Sequence, residues 1–134
     1  MPRTSYLSLD VGERRIGVAL AQSDVKLAVP LTTIVVDGQE SIAIASLVTQ
    51  HSVTQLVLGY PRNQAGEATQ QTKYVENFAT RLGRVVDCPI AYQDESLTSV
   101  VAEERLRSRG RPYGKADIDA EAAAILLQDY LESQ

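Results

Sequence analysis

The stretch YLSLDVGERRIGVALA, Tyr6–Ala21, decides the fold class. Two β-rich runs, YLSLD and IGVALA, flank the short polar segment VGERR, the pattern of an antiparallel hairpin. Asp10 stands where the first of these strands ends. Alternation places Tyr6, Ser8 and Asp10 on one face and Leu7 and Leu9 on the other, so the carboxylate leaves the sheet on its less apolar side. A lone acid at a strand end is also an ordinary turn former, and only partners from elsewhere in the chain make it a site.

Outward from the hairpin, a third strand is expected over Leu31–Val36 (LTTIVV), entered through Pro30 and closed by Asp37-Gly38. In ESIAIASLVTQ the period changes: Ile42, Ala45 and Val48, with Ile44 and Leu47 beside them, recur at helical spacing. Leu56–Tyr60 (LVLGY) is apolar without alternation, as in a central parallel strand covered on both faces. The loop PRNQAG leads into a helix through TQQTKYVENFATRLG, with Val75, Phe78 and Leu82 on one face and Gly83 as its stop. A fifth strand is expected near Ile90–Gln93, with Asp94-Glu95 at its end, then a helix from Leu97 onward. The loop SRGRPYGK breaks that helix and precedes a last one over Ile118–Leu131. Three strands followed by alternating helix and strand describe one α/β layered domain over residues 1–134, with a mixed five-stranded sheet flanked by helices: antiparallel at one side, parallel at the other.

At 134 residues, 44% hydrophobic and 22% charged, the chain has globular composition and length for one core. One cysteine, Cys88, and one histidine, His51, exclude an internal disulfide and a Cys/His zinc site. No apolar run approaches the roughly 20 residues that span a bilayer, and MPRTSYLSLD enters strand-like sequence directly, so a cytoplasmic location is expected. Seventeen acids against thirteen bases, net charge −4, argue on their face against a polyanionic partner. Distribution overrides the total, because RLRSRGRPYGK concentrates Arg105, Arg107, Arg109, Arg111 and Lys115 without an acid among them.

Ligand sites of open α/β sheets lie beyond the carboxyl ends of the parallel strands, and Asp10, the Asp94-Glu95 pair and Asp119 all fall near strand ends or helix starts. Ala122, Ala123 and Leu126, at three, four and seven residues beyond Asp119, place it on the apolar stripe of the last helix, whereas Asp117 and Glu121 are expected with Gln128 on the solvated face. The small pair Ala122-Ala123 lets that helix approach the sheet and carry Asp119 toward Asp10. Carboxylates gathered without His or Cys suit a hard cation, Mg2+ or Mn2+, completed by substrate phosphates. Such sites hydrolyse phosphodiesters with water as nucleophile. LDVGERRIG does not match the dinucleotide fingerprint and no GxxxxGK[ST] occurs. The central strand ends LVLGYP without the acceptor acid of a phospho-receiver, and a sugar kinase of actin-like build needs a second domain. Gly17 either relieves crowding or bares backbone to a nucleic-acid strand. A non-catalytic nucleic-acid or ribosome-binding module, whose acids only cap and turn, is the competing class.

Taken together, four blocks in order resemble the YqgF family, also called RuvX, over almost the whole chain. SLDVGERRIGVALA looks like its opening strand-turn-strand, LVLGYPRNQAG like its central strand and Gly-x-Pro loop, QDESLTS like its Asp-Glu-Arg-Leu-Thr-Thr block, and KADIDAEAAAILLQDYL like its last helix. Ser96 departs from the family's Arg, and Tyr60 and Arg62 from its more frequent Leu. The resemblance implies an RNase H-like fold and a nuclease in which Asp10, Glu95 and Asp119 are catalytic and hold Mg2+ or Mn2+, with Asp94 as alternate to Glu95. It implies processing of the 5′ end of precursor 16S rRNA or, by likeness to RuvC, resolution of Holliday junctions in branched DNA. Arg14, Arg15, Arg62, Arg107, Arg109, Arg111 and Lys115 are the expected phosphate contacts. Ribosomal particles are an expected partner, a membrane is not, and the chain acts as a monomer or homodimer.

Overall fold

The computed structural model describes residues 4–61, 65–95 and 98–134. Its elements run β1 (Ser5–Val11), β2 (Arg15–Gln22), β3 (Val29–Val35), α1 (Glu40–Gln50), β4 (Gln55–Pro61), α2 (Gln70–Leu82), β5 (Ile90–Glu95), α3 (Thr98–Ser108) and α4 (Lys115–Glu132). They form one five-stranded sheet in the order β3-β2-β1-β4-β5. β1 pairs antiparallel with β2 and parallel with β4; β2 and β3 are antiparallel, and β4 and β5 parallel. The expected mixed α/β sheet is therefore the observed one.

Strand alternation divides the core in two. Leu7 and Leu9 of β1, Ile16 and Val18 of β2, and Leu56 and Leu58 of β4 face α1 and α2, where they bury Ile44, Val75, Phe78 and Leu82. The other face is built from small residues: Ala19, Ala21 and Val57 meet Ala123, Ala124 and Leu127 of α4. α3 packs on α4 through Ala102 against Ala122 and Ile125. Leu56, Val57 and Leu58 are all fully buried, as a strand covered on both faces requires.

Several boundaries differ from expectation for local reasons. α4 begins at Lys115, three residues early, because the Asp117 carboxylate accepts a hydrogen bond from the Gly114 N–H at 2.8 Å and fixes the first turn there. β5 runs through Glu95, so Asp94 and Glu95 are its last two residues rather than its sequel. β3 starts at Val29 and includes Pro30, tolerated because β3 is an edge strand with a register shift opposite Val18 and Ala19. In α1 the buried apolar residue is Ile44, while Ile42 is exposed. α2 opens on reciprocal capping between Thr69 and Thr72, and the Thr72 hydroxyl also donates to the Pro61 carbonyl, tying the helix to the end of β4.

α4 lies hard against β2. A Cβ on Gly17 would lie 1.9 Å from the Asp119 carbonyl oxygen and 3.0 Å from the Ala120 nitrogen. Of the two readings of Gly17, relief of crowding is the one observed: helix backbone, and not an opening for a nucleic-acid strand, fills the space. The Ser8 hydroxyl, on the same face, donates to the Ala123 carbonyl at 2.7 Å and pins the next turn. Since the atoms in the way are backbone, Gly17→Ala is expected to cost at least about 2 kcal/mol. Gly114→Ala, whose Cβ meets nothing within 4 Å, should cost at most about 1 kcal/mol, the comparison being made by urea denaturation.

Candidate active site

Asp10 is flanked in the sheet by two glycines that make room for acids from other elements. Its partner in β2 is Gly17, over which the backbone of Asp119 lies. On the other side, in β4, a Cβ on Gly59 would come within 2.7 Å of Glu95 Oε2. The Glu95 side chain therefore reaches back from the end of β5 across β4, on the α4 face that Asp10 shares. The Glu95 carboxylate comes within hydrogen-bonding reach of Asp10, and Asp119 is close enough for its charge to act on Asp10. Burial pushes the Asp10 carboxyl well above the ordinary carboxylate range, and the hydrogen bond with Glu95 and the charges of Glu95 and Asp119 push in the same direction.

Asp94, one residue from Glu95, points to the opposite face of the sheet. It lies with Tyr60, Glu76 and Tyr92 beside α2, and strand parity separates it from Asp10. Of the two neighbouring acids, geometry brings Glu95 to Asp10 and leaves the expected alternate, Asp94, outside the cluster.

Asp119 makes a second contact that its sequence position did not announce. Its Oδ2 accepts a hydrogen bond from Arg15 Nε at 2.5 Å, with the two side chains 23% and 35% exposed respectively. Among the described residues, no three His, Cys, Asp or Glu side chains are already drawn together at metal-ligand spacing; the third carboxylate is held by the arginine. The donor set nevertheless fits a hard divalent cation: three carboxylates, one of them buried among like charges, with neither imidazole nor thiolate beside them.

Two of the three, Asp10 and Asp119, line a cleft of about 440 Å³ together with Gly12, Arg14 and Arg15, with Glu13 and Gln71 at its sides. The described lining contains no hydroxyl, thiol or amine nucleophile. A larger cleft, about 490 Å³ between β3, α3 and α4, gathers no such set of acids: Glu121 pairs with Arg109 at 2.8 Å, and Asp117 accepts from the Gly114 N–H at the start of its own helix.

The expected phosphate contacts divide accordingly. Arg14 is exposed at the cleft, whereas Arg15 is engaged by Asp119. Arg109, with Arg105 at 3.7 Å, neutralises Glu121, which is only 3% exposed. The expectation that Glu121 faces solvent fails because α3 and its following loop cover that side of α4. Arg107 lies 3.8 Å from Glu103 along its own helix. Arg111 and Lys115 are exposed, with no ion pair among the described residues. Arg62, also expected to hold phosphate, and Ser96 fall outside the described residues. Gly59 is the site residue that the sequence reading missed; a glycine inside an otherwise apolar strand was its signal.

The family described as "RuvX: Holliday junction resolvase" matches residues 4–133. The chain belongs to the RuvX family. A relative from Chloroflexus aurantiacus (strain J-10-fl), named "Putative pre-16S rRNA nuclease", is 46% identical over 132 residues, covering 96% of this chain and 86% of the relative. A Synechocystis sp. relative of the same name is 41% identical, covering 97% and 88%. Among solved structures, Thermus thermophilus RuvC in complex with a Holliday junction substrate superimposes with a TM-score of 0.58 at 14% identity, over 97% of this chain and 94% of that one. That likeness concerns the fold, an RNase H-like arrangement, and the family places the RuvX chain among nucleases.

Two outcomes follow from these charges. Because the Asp10 pKa is raised on folding, the native state holds a proton that the unfolded chain has already released, so stability falls as pH rises above the ordinary carboxylate value of 3.8. In EDTA, Asp10→Asn should therefore melt higher than the unaltered protein at pH 8, the difference shrinking as pH is lowered toward 4, as followed by circular dichroism. Separately, Arg109→Ala removes the hydrogen bond to the buried Glu121 carboxylate and leaves it only Arg105 at 3.7 Å, which should cost about 2 kcal/mol. Arg111→Ala should leave the melting temperature unchanged.

Proposed function

We propose that this RuvX protein is a metal-dependent nuclease of the cytoplasm that hydrolyses phosphodiester bonds in structured RNA, maturing the 5′ end of precursor 16S rRNA. The observation that carries the reading is the gathering of Asp10, Glu95 and Asp119 around two strand glycines, with Asp10 and Asp119 lining a cleft whose described lining offers no hydroxyl, thiol or amine nucleophile of its own. The names of the curated relatives support the RNA substrate.

Asp10, Glu95 and Asp119 are the residues that would hold Mg2+ or Mn2+. When bound, the divalent ion supplies an activated water and stabilisation of the leaving oxygen. Asp10 provides a carboxylate fixed by the central strand, and Glu95 one that reaches across Gly59. Asp119 rides on α4, whose position against Gly17 sets its distance from Asp10. Arg14 meets a phosphate entering the cleft, and Arg111 and Lys115 extend the basic surface along the loop before α4. Ser8 takes no part as a nucleophile, since its hydroxyl is fully buried and donates to Ala123.

A second reading, cleavage of four-way DNA junctions, is favoured by the family description and by the fold shared with RuvC. It uses the same acids. Precursor 16S rRNA and a four-way DNA junction, incubated with the protein and Mn2+ in matched assays, distinguish the two. We expect cleavage of the RNA, lost on the order of 10³-fold in Asp10→Asn and in Asp119→Asn. Junction cleavage alone would reverse the assignment, and no cleavage of either substrate, or Asn variants as active as the original, would favour a binding module.

A further inference from the structure

The contact between Arg15 and Asp119 joins a residue of the phosphate-facing cleft to a residue of the carboxylate cluster, and each has a second use that the contact blocks. Arg15 begins β2 and lines the same cleft as Asp10 and Arg14. Its Nε donates to Asp119 Oδ2 at 2.5 Å, and the pair is partly open to solvent, Arg15 by 35% and Asp119 by 23%. A guanidinium in that position does for the isolated acid what a cation does: it offsets the charge that Asp119 otherwise adds to the site of Asp10 and Glu95. It also keeps Asp119 from closing on the other two acids, which explains why three carboxylates converge without standing at ligand spacing among the described residues.

Resting on the metal-dependent reading above, we propose that Arg15 is a displaceable counter-ion: it holds Asp119 while the site lacks metal, yields it to a divalent cation, and then turns its guanidinium to a nucleic-acid phosphate in the cleft. Both parts follow from the same geometry. A partly exposed ion pair is weak enough to exchange, since a divalent ion outcompetes a single positive charge for a carboxylate. The planar guanidinium is suited to a phosphate, its donors being arranged for bidentate contact. Metal loading and nucleic-acid binding are thereby coupled through one side chain, and the coupling is reciprocal. Arg14, which has no ion pair among the described residues, contacts phosphate in either state. The electrostatic difference between neighbouring arginines thus assigns them different roles.

The test has two arms on the full chain, neither of which requires turnover. In the first, Mn2+ is titrated into the unaltered protein, Arg15→Gln, Asp119→Asn and the double variant without nucleic acid, free Mn2+ being read by electron paramagnetic resonance. Arg15→Gln should bind Mn2+ about tenfold more tightly, because its competitor is gone. The effect should vanish when Asp119 is Asn. In the second arm, a labelled RNA hairpin is bound at several salt concentrations. With Ca2+, Arg15→Gln should lower the salt slope by about 0.7 to 0.9, one phosphate contact, and in EDTA leave it unchanged.

Unchanged or weaker Mn2+ binding in Arg15→Gln overturns the proposal, as does an equal loss of slope in Ca2+ and in EDTA. Arg15→Lys covers the case in which the Gln variant fails to fold: its ammonium lacks the fork, so Mn2+ binding should tighten by a smaller factor, and no tightening contradicts the proposal. If the unaltered protein binds no Mn2+ that Asp10→Asn abolishes, the metal-site reading itself fails, and the exchange with it.

Discussion

The approach of α4 to β2 is the constraint on which the rest of the structure depends. No side chain separates the helix backbone from the strand at Gly17, where even one added carbon would collide with the Asp119 carbonyl. Because Gly17 is the register partner of Asp10, that approach delivers an acid from the far end of the sequence to one near its start. Gly59 performs the corresponding service in β4, clearing the path of the Glu95 side chain. Small residues continue along the interface, with Ala19, Ala21, Ala123 and Ala124 all buried, so the helix is seated on this face by close packing rather than by bulky side chains. The opposite face, with Phe78 and its aliphatic neighbours, supplies the larger hydrophobic contribution and leaves this one free to be shaped around the acids.

Electrostatics governs the site once packing has formed it. Burial, and with it the neighbouring carboxylates of Glu95 and Asp119, raises the Asp10 pKa and opposes folding above the ordinary carboxylate range, a local cost of the kind that functional sites carry. The chain spends some of its arginines on containing such charge. Arg15 holds Asp119, and Arg105 and Arg109 surround buried Glu121. An overall charge of −4 is accordingly no guide to the surface that meets a polyanion. Of the cations expected at phosphate, Arg14, Arg111 and Lys115 are exposed and have no ion pair among the described residues.

Periodicity made the class of fold legible, because the strands and helices here are strongly patterned: the uninterrupted LVLGY run, the alternation of YLSLD and the spacing of Val75, Phe78 and Leu82 each carry one dominant signal. Boundaries were less so, since they depend on individual hydrogen bonds such as Gly114 to Asp117, which compete with the apolar pattern. Asp10 and Asp119 could be picked out by position, but the choice between Asp94 and Glu95 required the exact end of β5, where a shift of one residue reverses the face. Glu121 was placed in solvent because helical periodicity describes one helix and its sheet; it carries no information on α3, which covers the other side. The pairing of Arg15 with Asp119 spans 104 residues of sequence, and no local rule reaches that far.

The central claim, that folding brings Asp10, Glu95 and Asp119 together to hold a divalent cation, is tested most directly by anomalous diffraction from a Mn2+-soaked crystal. The account predicts a manganese peak enclosed by these three side chains, with Asp94 on the other side of the sheet and out of contact. A well-ordered soaked crystal showing the three carboxylates with no manganese between them, or manganese bound by Asp94 instead, would contradict it.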